Sequence, residues 1–99
     1  MAGAKIRTPE EVYSRYLDLT RRALAKAKIA HSEASKERSQ AEDFLDMAQR
    51  YFSDAQHFHK KGMVAEALAA VSYAHAWLDA GARIGLFDVG GDSELFTVD

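Results

Sequence analysis

The sequence contains no cysteine. This excludes disulfides, thiolate nucleophiles and every metal site with a cysteine ligand, and it is typical of a reducing compartment. The chain also lacks the roughly 20-residue apolar run of a membrane-spanning helix, and its first residues have no apolar core of a secretory signal. We therefore expect a cytoplasmic protein that has no association with a membrane.

Helix-breaking residues are also scarce, since the chain has one Pro and six Gly, and none of them lies between residues 10 and 61. Hydrophobic residues make up 47% of the chain and charged residues 28%, as in soluble globular proteins. A chain of 99 residues has enough material for one modest core but not for two. We expect a single helical domain over residues 1–99.

The first helix is predicted over about residues 8–31. Thr8 is a typical N-cap, Pro9 suits the first helical position, and Glu11 is placed for a capping box. A polar, serine-containing segment, residues 31–39, predicts a break, after which Ser39 is the expected N-cap of the second helix. One continuous helix of about 50 residues, covered by a partner chain, is the alternative that the pattern leaves open.

The second and third helices are predicted over about residues 39–61 and 63–86. Gly62 is a suitable C-terminal stop between them, and so short a turn makes the two helices an antiparallel hairpin. In that hairpin we expect Phe52 near Tyr73 and Ala48 near Trp77. The predicted fold class is all-α: an antiparallel three-helix bundle, up-down-up, with an extended C-terminal tail, residues 88–99, packed on it.

The third helix is apolar on two sides, which is typical of a central or an interface helix. Beyond the stripe that faces the bundle, its other apolar side predicts a surface for a ligand, a protein partner or a second copy, or a dock for the tail in its own or a neighbouring subunit. The residues of this predicted surface are Tyr73, His75, Trp77, Asp79, Gly81, Ile84 and Gly85. A homo-oligomer or a protein partner is the expected association.

Two features of this helix invite a chemical interpretation. His75 has Asp79 four residues on, which suits a general base or half a metal site, and equally a buried histidine satisfied by Asp79 or a backbone carbonyl. Gly81 and Gly85 suit the close approach of a helix or of the tail, or a ligand resting on exposed backbone. No Glu-x-x-His spacing occurs, and the acidic residues of the second helix lie on its solvated face, so we expect no metal and no cofactor.

Charge is unevenly distributed although the net charge is only −2. Residues 1–31 carry seven Lys or Arg against three acidic residues, and residues 88–99 carry four acidic residues and no basic one. One interpretation places the acidic tail near the first helix. The other leaves Arg15, Arg22 and Lys26 facing a polyanion such as RNA, for which the overall charge offers little support.

The segment YAHAWLDAGARIGLF, residues 73–87, together with YFSDAQHF at 51–58 and Lys61-Gly62, resembles an archaeal family catalogued as domain of unknown function 357. The resemblance implies a small helical protein without an assigned activity. A looser similarity in helix pattern links the chain to HEPN bundles, some of which are ribonucleases, and it would assign Arg50 and His57 as catalytic residues. The two function classes are therefore a non-enzymatic, self-associating interaction module and an RNA-binding or RNA-cleaving protein.

Overall fold

The computed structural model describes residues 7–97, so the first six residues and the last two, including Val98 of the predicted tail, lie outside it. The elements are α1 (Pro9–Lys26), β1 (Lys28–Ile29), α2 (Lys36–Lys60), α3 (Val64–Arg83) and β2 (Phe87–Asp88). They form the predicted all-α three-helix bundle. Helix α3 packs on both other helices, whereas α1 touches α2 much less, which makes α3 the central helix.

Helix α1 begins as predicted and ends earlier. The capping box is complete, because Thr8 Oγ1 accepts from the Glu11 amide at 3.1 Å and Glu11 Oε1 accepts from the Thr8 amide at 3.0 Å. The hydrogen bond that the carboxyl accepts from the Thr8 backbone, followed by that from the Thr8 side chain, lowers the pKa of Glu11. The helix stops at Lys26 rather than near residue 31, because Lys28 and Ile29 pair antiparallel with Asp88 and Phe87.

Residues 27–35 separate α1 from α2, which rules out the single long helix. The N-cap of α2 is Ser35, whose Oγ accepts from the Arg38 amide at 3.1 Å. The prediction of Ser39 was wrong by one helical turn. Ser35 takes the cap because its amide donates to the Ser32 carbonyl at 3.0 Å and its backbone is extended, as an N-cap requires.

Both hairpin helices end in the same way. Gly62 and Gly85 have φ angles of +76° and +81°, the left-handed conformation that glycine adopts without a steric penalty. At Gly85 the Leu86 amide donates to the Gly81 carbonyl at 2.8 Å and the Gly85 amide to the Ala82 carbonyl at 3.3 Å. This is a Schellman motif, and it ends α3 at Arg83, three residues before the predicted end.

The C-terminal segment docks on its own chain. Leu95 and Phe96 are buried in one cluster with Leu78 and Leu86. The predicted docking surface was Tyr73, Trp77 and Ile84. Trp77 packs against the cluster that contains Leu95 and Phe96, but Tyr73 is 48% exposed and Ile84 is 64% exposed. The β1–β2 pair explains this correction, because it directs the chain after α3 back toward α1 and away from the outer side of α3.

The packing of the α2–α3 hairpin differs from the prediction by a fraction of a turn. The ring of Tyr73 contacts Tyr51 rather than Phe52, with 4.3 Å between ring centroids, and Trp77 contacts Phe44 at 4.9 Å. Phe52 lies instead on the side of α1, where the Arg21 guanidinium is 5.8 Å from its ring centroid. The aromatic residues of α2 are thus divided between the two sides of the hairpin.

Candidate functional site

His75 holds three parts of the chain together. Its Nε2–H donates to the Leu95 carbonyl at 2.8 Å, so in the neutral ring Nδ1 accepts from the hydroxyl of the fully buried Thr20, 3.1 Å away. Asp79 is more distant, with 3.8 Å between Nε2 and Oδ1. Both ring nitrogens therefore have partners, and the backbone-carbonyl interpretation describes the geometry better than a general base oriented by Asp79.

Asp79 fastens the same C-terminal segment one helical turn further on. Its carboxylate accepts from the Thr97 amide at 3.0 Å and from the Thr97 hydroxyl at 3.3 Å. With the bond from His75 to Leu95, α3 thus holds the tail at two points. Two residues of the predicted partner surface, His75 and Asp79, lie under the tail and serve the fold.

One of the two glycines of the predicted surface, Gly81, is covered by the chain itself, whereas Gly85 is exposed. A β-carbon on Gly81 would lie 2.5 Å from Cδ2 of Phe87 and closer still to Cε2, so the glycine makes room for that ring. The carbonyl of Gly85 accepts from His31 Nε2–H at 2.9 Å, which gives His31 a partner that the sequence did not indicate. At Gly81 the geometry supports the close approach of the returning chain, whereas Gly85 ends α3.

The opposite charges at the two ends of the chain meet, as one interpretation predicted. Lys26 Nζ lies 3.0 Å from Asp92 Oδ2, and Asp92 Oδ1 also accepts from the amides of Glu94 and Leu95. The hydrogen bond from the Leu95 backbone and then that from Lys26 lower the pKa of Asp92. Two of the three basic residues offered to a polyanion therefore have an acidic partner within the chain, because Arg22 also lies 3.6 Å from Asp18.

A second polar cluster joins α1 to the end of α2. His59 Nε2 lies 2.6 Å from Glu10 Oε2, and its ring stacks on Tyr13 at 4.3 Å. Tyr13 is buried and its hydroxyl donates to the Ala55 carbonyl at 3.4 Å. Burial, assisted by the Glu10 carboxylate, raises the pKa of the Tyr13 phenol, so the group stays a hydrogen-bond donor. The cluster is a structural contact between helices.

Arg50 and His57, the residues of the ribonuclease hypothesis, lie on the solvent side of α2. The Arg50 side chain is 71% exposed and its Nε is 2.9 Å from Asp46 Oδ2. His57 is exposed, and its ring centroid lies 6.1 Å from that of the neighbouring Phe58. Catalytic groups of a nuclease need a cleft that positions a phosphate, and neither residue lines the grooves described next.

The most unusual surface is apolar and lies on the outer side of the α2–α3 hairpin, away from α1. We call it the aromatic face, and it consists of Phe44, Tyr51, Phe58, Ala69, Tyr73, Ala76, Trp77 and Ala80. Rings of the two helices join along it, because Tyr51 contacts Tyr73 and Tyr73 contacts Trp77 with 6.1 Å between centroids. The face extends along both helices, from Phe58 and Ala69 near the turn that joins them to Phe44 and Ala80 at the far end.

Two adjoining grooves run along the aromatic face. The larger, of about 750 Å³, lies between Tyr51, Phe58 and Tyr73, and Asp54 and Glu66 stand at its edge. The smaller, of about 240 Å³, continues past Tyr73 to lie beside Phe44, Trp77 and Ala80. Because both grooves include Tyr73 and Ala76 in their walls, they form one concave, largely apolar surface.

Of the predicted partner surface, Tyr73 and Trp77 lie on this face and Ile84 follows at the same helical phase. Phe44, Tyr51 and the exposed alanines of α3 were not among the residues of that predicted surface. The alanines had a signal, since Ala69, Ala76 and Ala80 alternate with Tyr73 at spacings of three and four. Trp77 carries an indole Nε1 that is buried without a hydrogen-bond partner within residues 7–97.

Two further findings concern the described residues. Between residues 7 and 97, no three histidine or acidic side chains come together in an arrangement that would hold a metal ion. In the same part of the chain, every helix is too short or too polar to cross a membrane.

Comparison with known proteins gives one match. The model of a family described as "Protein of unknown function (DUF357)" matches residues 15–87, which is most of the bundle and ends at β2. Neither the curated proteins nor the solved structures give a match. The comparisons show no similarity to HEPN bundles.

Proposed function

We propose that this chain, which belongs to the DUF357 family, is a non-enzymatic interaction module that associates with a second copy of itself through the aromatic face. The observation that carries the proposal is the exposure of this continuous apolar face. Tyr73 is 48% exposed at its centre, flanked by apolar grooves on both sides.

The exposed residues of this face lie outside the buried core of the bundle. Tyr73 and the three alanines are exposed, whereas charged residues at these positions would favour solubility. Aromatic residues enriched at the centre of a patch, with polar residues at its rim, are typical of protein interfaces. Asp54, Glu66 and Ser72 supply such a rim around the larger groove.

The dimensions suit a weak symmetric dimer. Helix α3 has 20 residues, so it is about 30 Å long, and two adjacent helices are roughly 20 Å wide. The face therefore offers about 600 Å² per copy, or about 1,200 Å² in a dimer, the lower limit for a specific interface. We expect a dissociation constant in the micromolar range, with a two-fold axis because one self-complementary face serves both copies.

An RNA-directed function has less support from the site. Arg50 and Lys26 both have acidic partners within the chain, and the hydrogen bonds of His75 are taken up by the fold. A self-associating module would retain its dimer when Arg50 and His57 are both changed to Ala. RNA binding that depended on phosphate contacts would instead weaken steeply with added salt.

The test is sedimentation velocity over a dilution series of the wild-type chain and of Tyr73→Arg. The wild type is expected to pass from dimer to monomer on dilution. The variant places a charge at the centre of the interface twice per dimer, and it should weaken dimerisation by at least about 30-fold, the effect of removing a central tyrosine. Tyr73 is preferred to Trp77 because the latter packs against the core cluster, and its loss would disturb the fold.

The matched control is Tyr16→Arg. Tyr16 is 42% exposed on α1, so the same substitution at nearly the same exposure falls on the other side of the bundle. It should leave the dimer unchanged, with circular dichroism showing that both variants keep their helices. A wild type that stays monomeric at every concentration, or equal effects of the two substitutions, would contradict the proposal.

A further inference from the structure

We infer that the two copies pair antiparallel along α3, so that Glu66 of each copy faces Arg83 of the other. This inference rests on the proposed function and specifies its interface. It comes from the order of residues on the outer side of α3, where opposite charges stand at the two ends of one exposed apolar line.

The line follows a strict spacing. Six exposed residues recur at alternating intervals of three and four, namely Glu66, Ala69, Tyr73, Ala76, Ala80 and Arg83. At about 100° per residue they lie within roughly 100° of arc, and their mean interval of 3.5 residues is that of a helix–helix seam. The alanines allow two α3 helices to approach to about 8 Å.

The sizes of the side chains along this line indicate how the two α3 helices are aligned. Tyr73 is the one large side chain on it and needs a small residue opposite, as Ala76 provides. An antiparallel pair centred midway between Ala74 and His75 places the large side chains against small ones and leaves no two Tyr73 rings in collision. The resulting pairs are Tyr73 with Ala76, Ala69 with Ala80, and Glu66 with Arg83.

The charges at the ends select the same arrangement independently. Within one helix Glu66 and Arg83 are 17 residues apart, about 25 Å along the axis, so an ion pair between them requires a second copy. A parallel pair would place Glu66 beside Glu66 and Arg83 beside Arg83, which is repulsive at both ends. The antiparallel pair creates two attractive contacts related by the two-fold axis.

The test uses two charge reversals, Glu66→Arg and Arg83→Glu, measured alone and mixed by sedimentation equilibrium at low salt, where surface charges are least screened. Each variant alone turns two attractions into two repulsions, so its dimer should be weaker than the wild type by roughly 10- to 30-fold. Mixing the two variants should restore association, because every cross-copy pair in the heterodimer is again Arg with Glu.

The possible outcomes distinguish the antiparallel register from the proposed self-association through the aromatic face. A wild-type monomer at all concentrations would overturn both. A wild-type dimer with both single variants unimpaired would overturn the antiparallel register alone, as would two impaired variants that fail to associate when mixed. Circular dichroism of each variant shows that its helices are intact, so loss of folding cannot imitate the expected result.

Discussion

Changing Gly81 to Ala adds one methyl group at the point where the Phe87 ring crosses α3. In an unobstructed helix this substitution stabilises a protein by about 0.8–1.0 kcal/mol, because alanine is the better helix former. Here the new β-carbon would lie 2.5 Å from Cδ2 and 3.1 Å from Cζ of Phe87, against an ordinary carbon–carbon contact of about 3.5–4.0 Å. The ring must move by about 1 Å or more.

The net effect follows from these two opposing quantities. Forcing an extra methyl group into a packed site costs about 1–3 kcal/mol, and Phe87 has little room to yield since it is 4% exposed. We expect Gly81→Ala to lower the free energy of unfolding by up to about 2 kcal/mol after the gain in helix propensity. In the Phe87→Ala background the obstruction is absent, and the same change should raise it by up to about 1 kcal/mol.

The assay is urea denaturation followed by circular dichroism on the wild type, the two single variants and the double variant, all at one dilute concentration because dimerisation adds stability. A reversal of sign between the two backgrounds is the expected signature. Gly62→Ala is the control: Gly62 has a φ of +76° and nothing within 4 Å of an added β-carbon, so it should cost about 1–2 kcal/mol in both backgrounds. Equal stabilisation by Gly81→Ala in both backgrounds would refute the packing argument.

Three further predictions concern the contacts that hold the C-terminal segment and the aromatic face. Thr20→Val leaves Nδ1 of His75 without its donor, and should lower the free energy of unfolding by about 1–2 kcal/mol in urea denaturation; an unchanged midpoint would contradict the assigned hydrogen bond. Asp92→Asn keeps the turn acceptor but removes a carboxyl whose pKa is lowered by folding. The wild type should therefore exceed this variant in stability above about pH 4, the ordinary Asp range, and lose that advantage as the pH falls through the lowered pKa. Parallel stability curves for the two proteins in acid would argue against it. Trp77→Phe removes an indole N–H that is buried without a partner. By calorimetry it should lower the free energy of unfolding by clearly less than the roughly 3–5 kcal/mol expected for Trp77→Ala. Equal losses of free energy for the two variants would contradict the unpaired N–H.

Local chemistry allowed much of the fold to be predicted. The Thr8–Glu11 capping box and the stop at Gly62 depend on residues within one turn of each other, and the structure has both. Ala48, expected at the contact between α2 and α3, is fully buried. Even the charge imbalance between the chain ends indicated a real contact, the ion pair of Lys26 with Asp92.

The missed features depend on contacts distant in sequence. Residues 28–29 form a strand only because residues 87–88 lie beside them, and two residues are too few to show a periodicity. That pair determines the path of the tail, and hence which side of α3 is covered. The sequence identified two apolar sides of α3 and placed Tyr73 on the second one, yet it could not show that the tail leaves Tyr73 uncovered.

The central claim, that the aromatic face binds a second copy of the chain, is tested most directly by a dilution series of two-dimensional NMR spectra with resonances assigned. On dilution through the dissociation constant, we expect shifts of the amide and methyl signals of Ala69, Tyr73, Ala76 and Ala80, with those around Tyr16 unchanged. Spectra that do not change with concentration, or changes confined to α1, would contradict the claim.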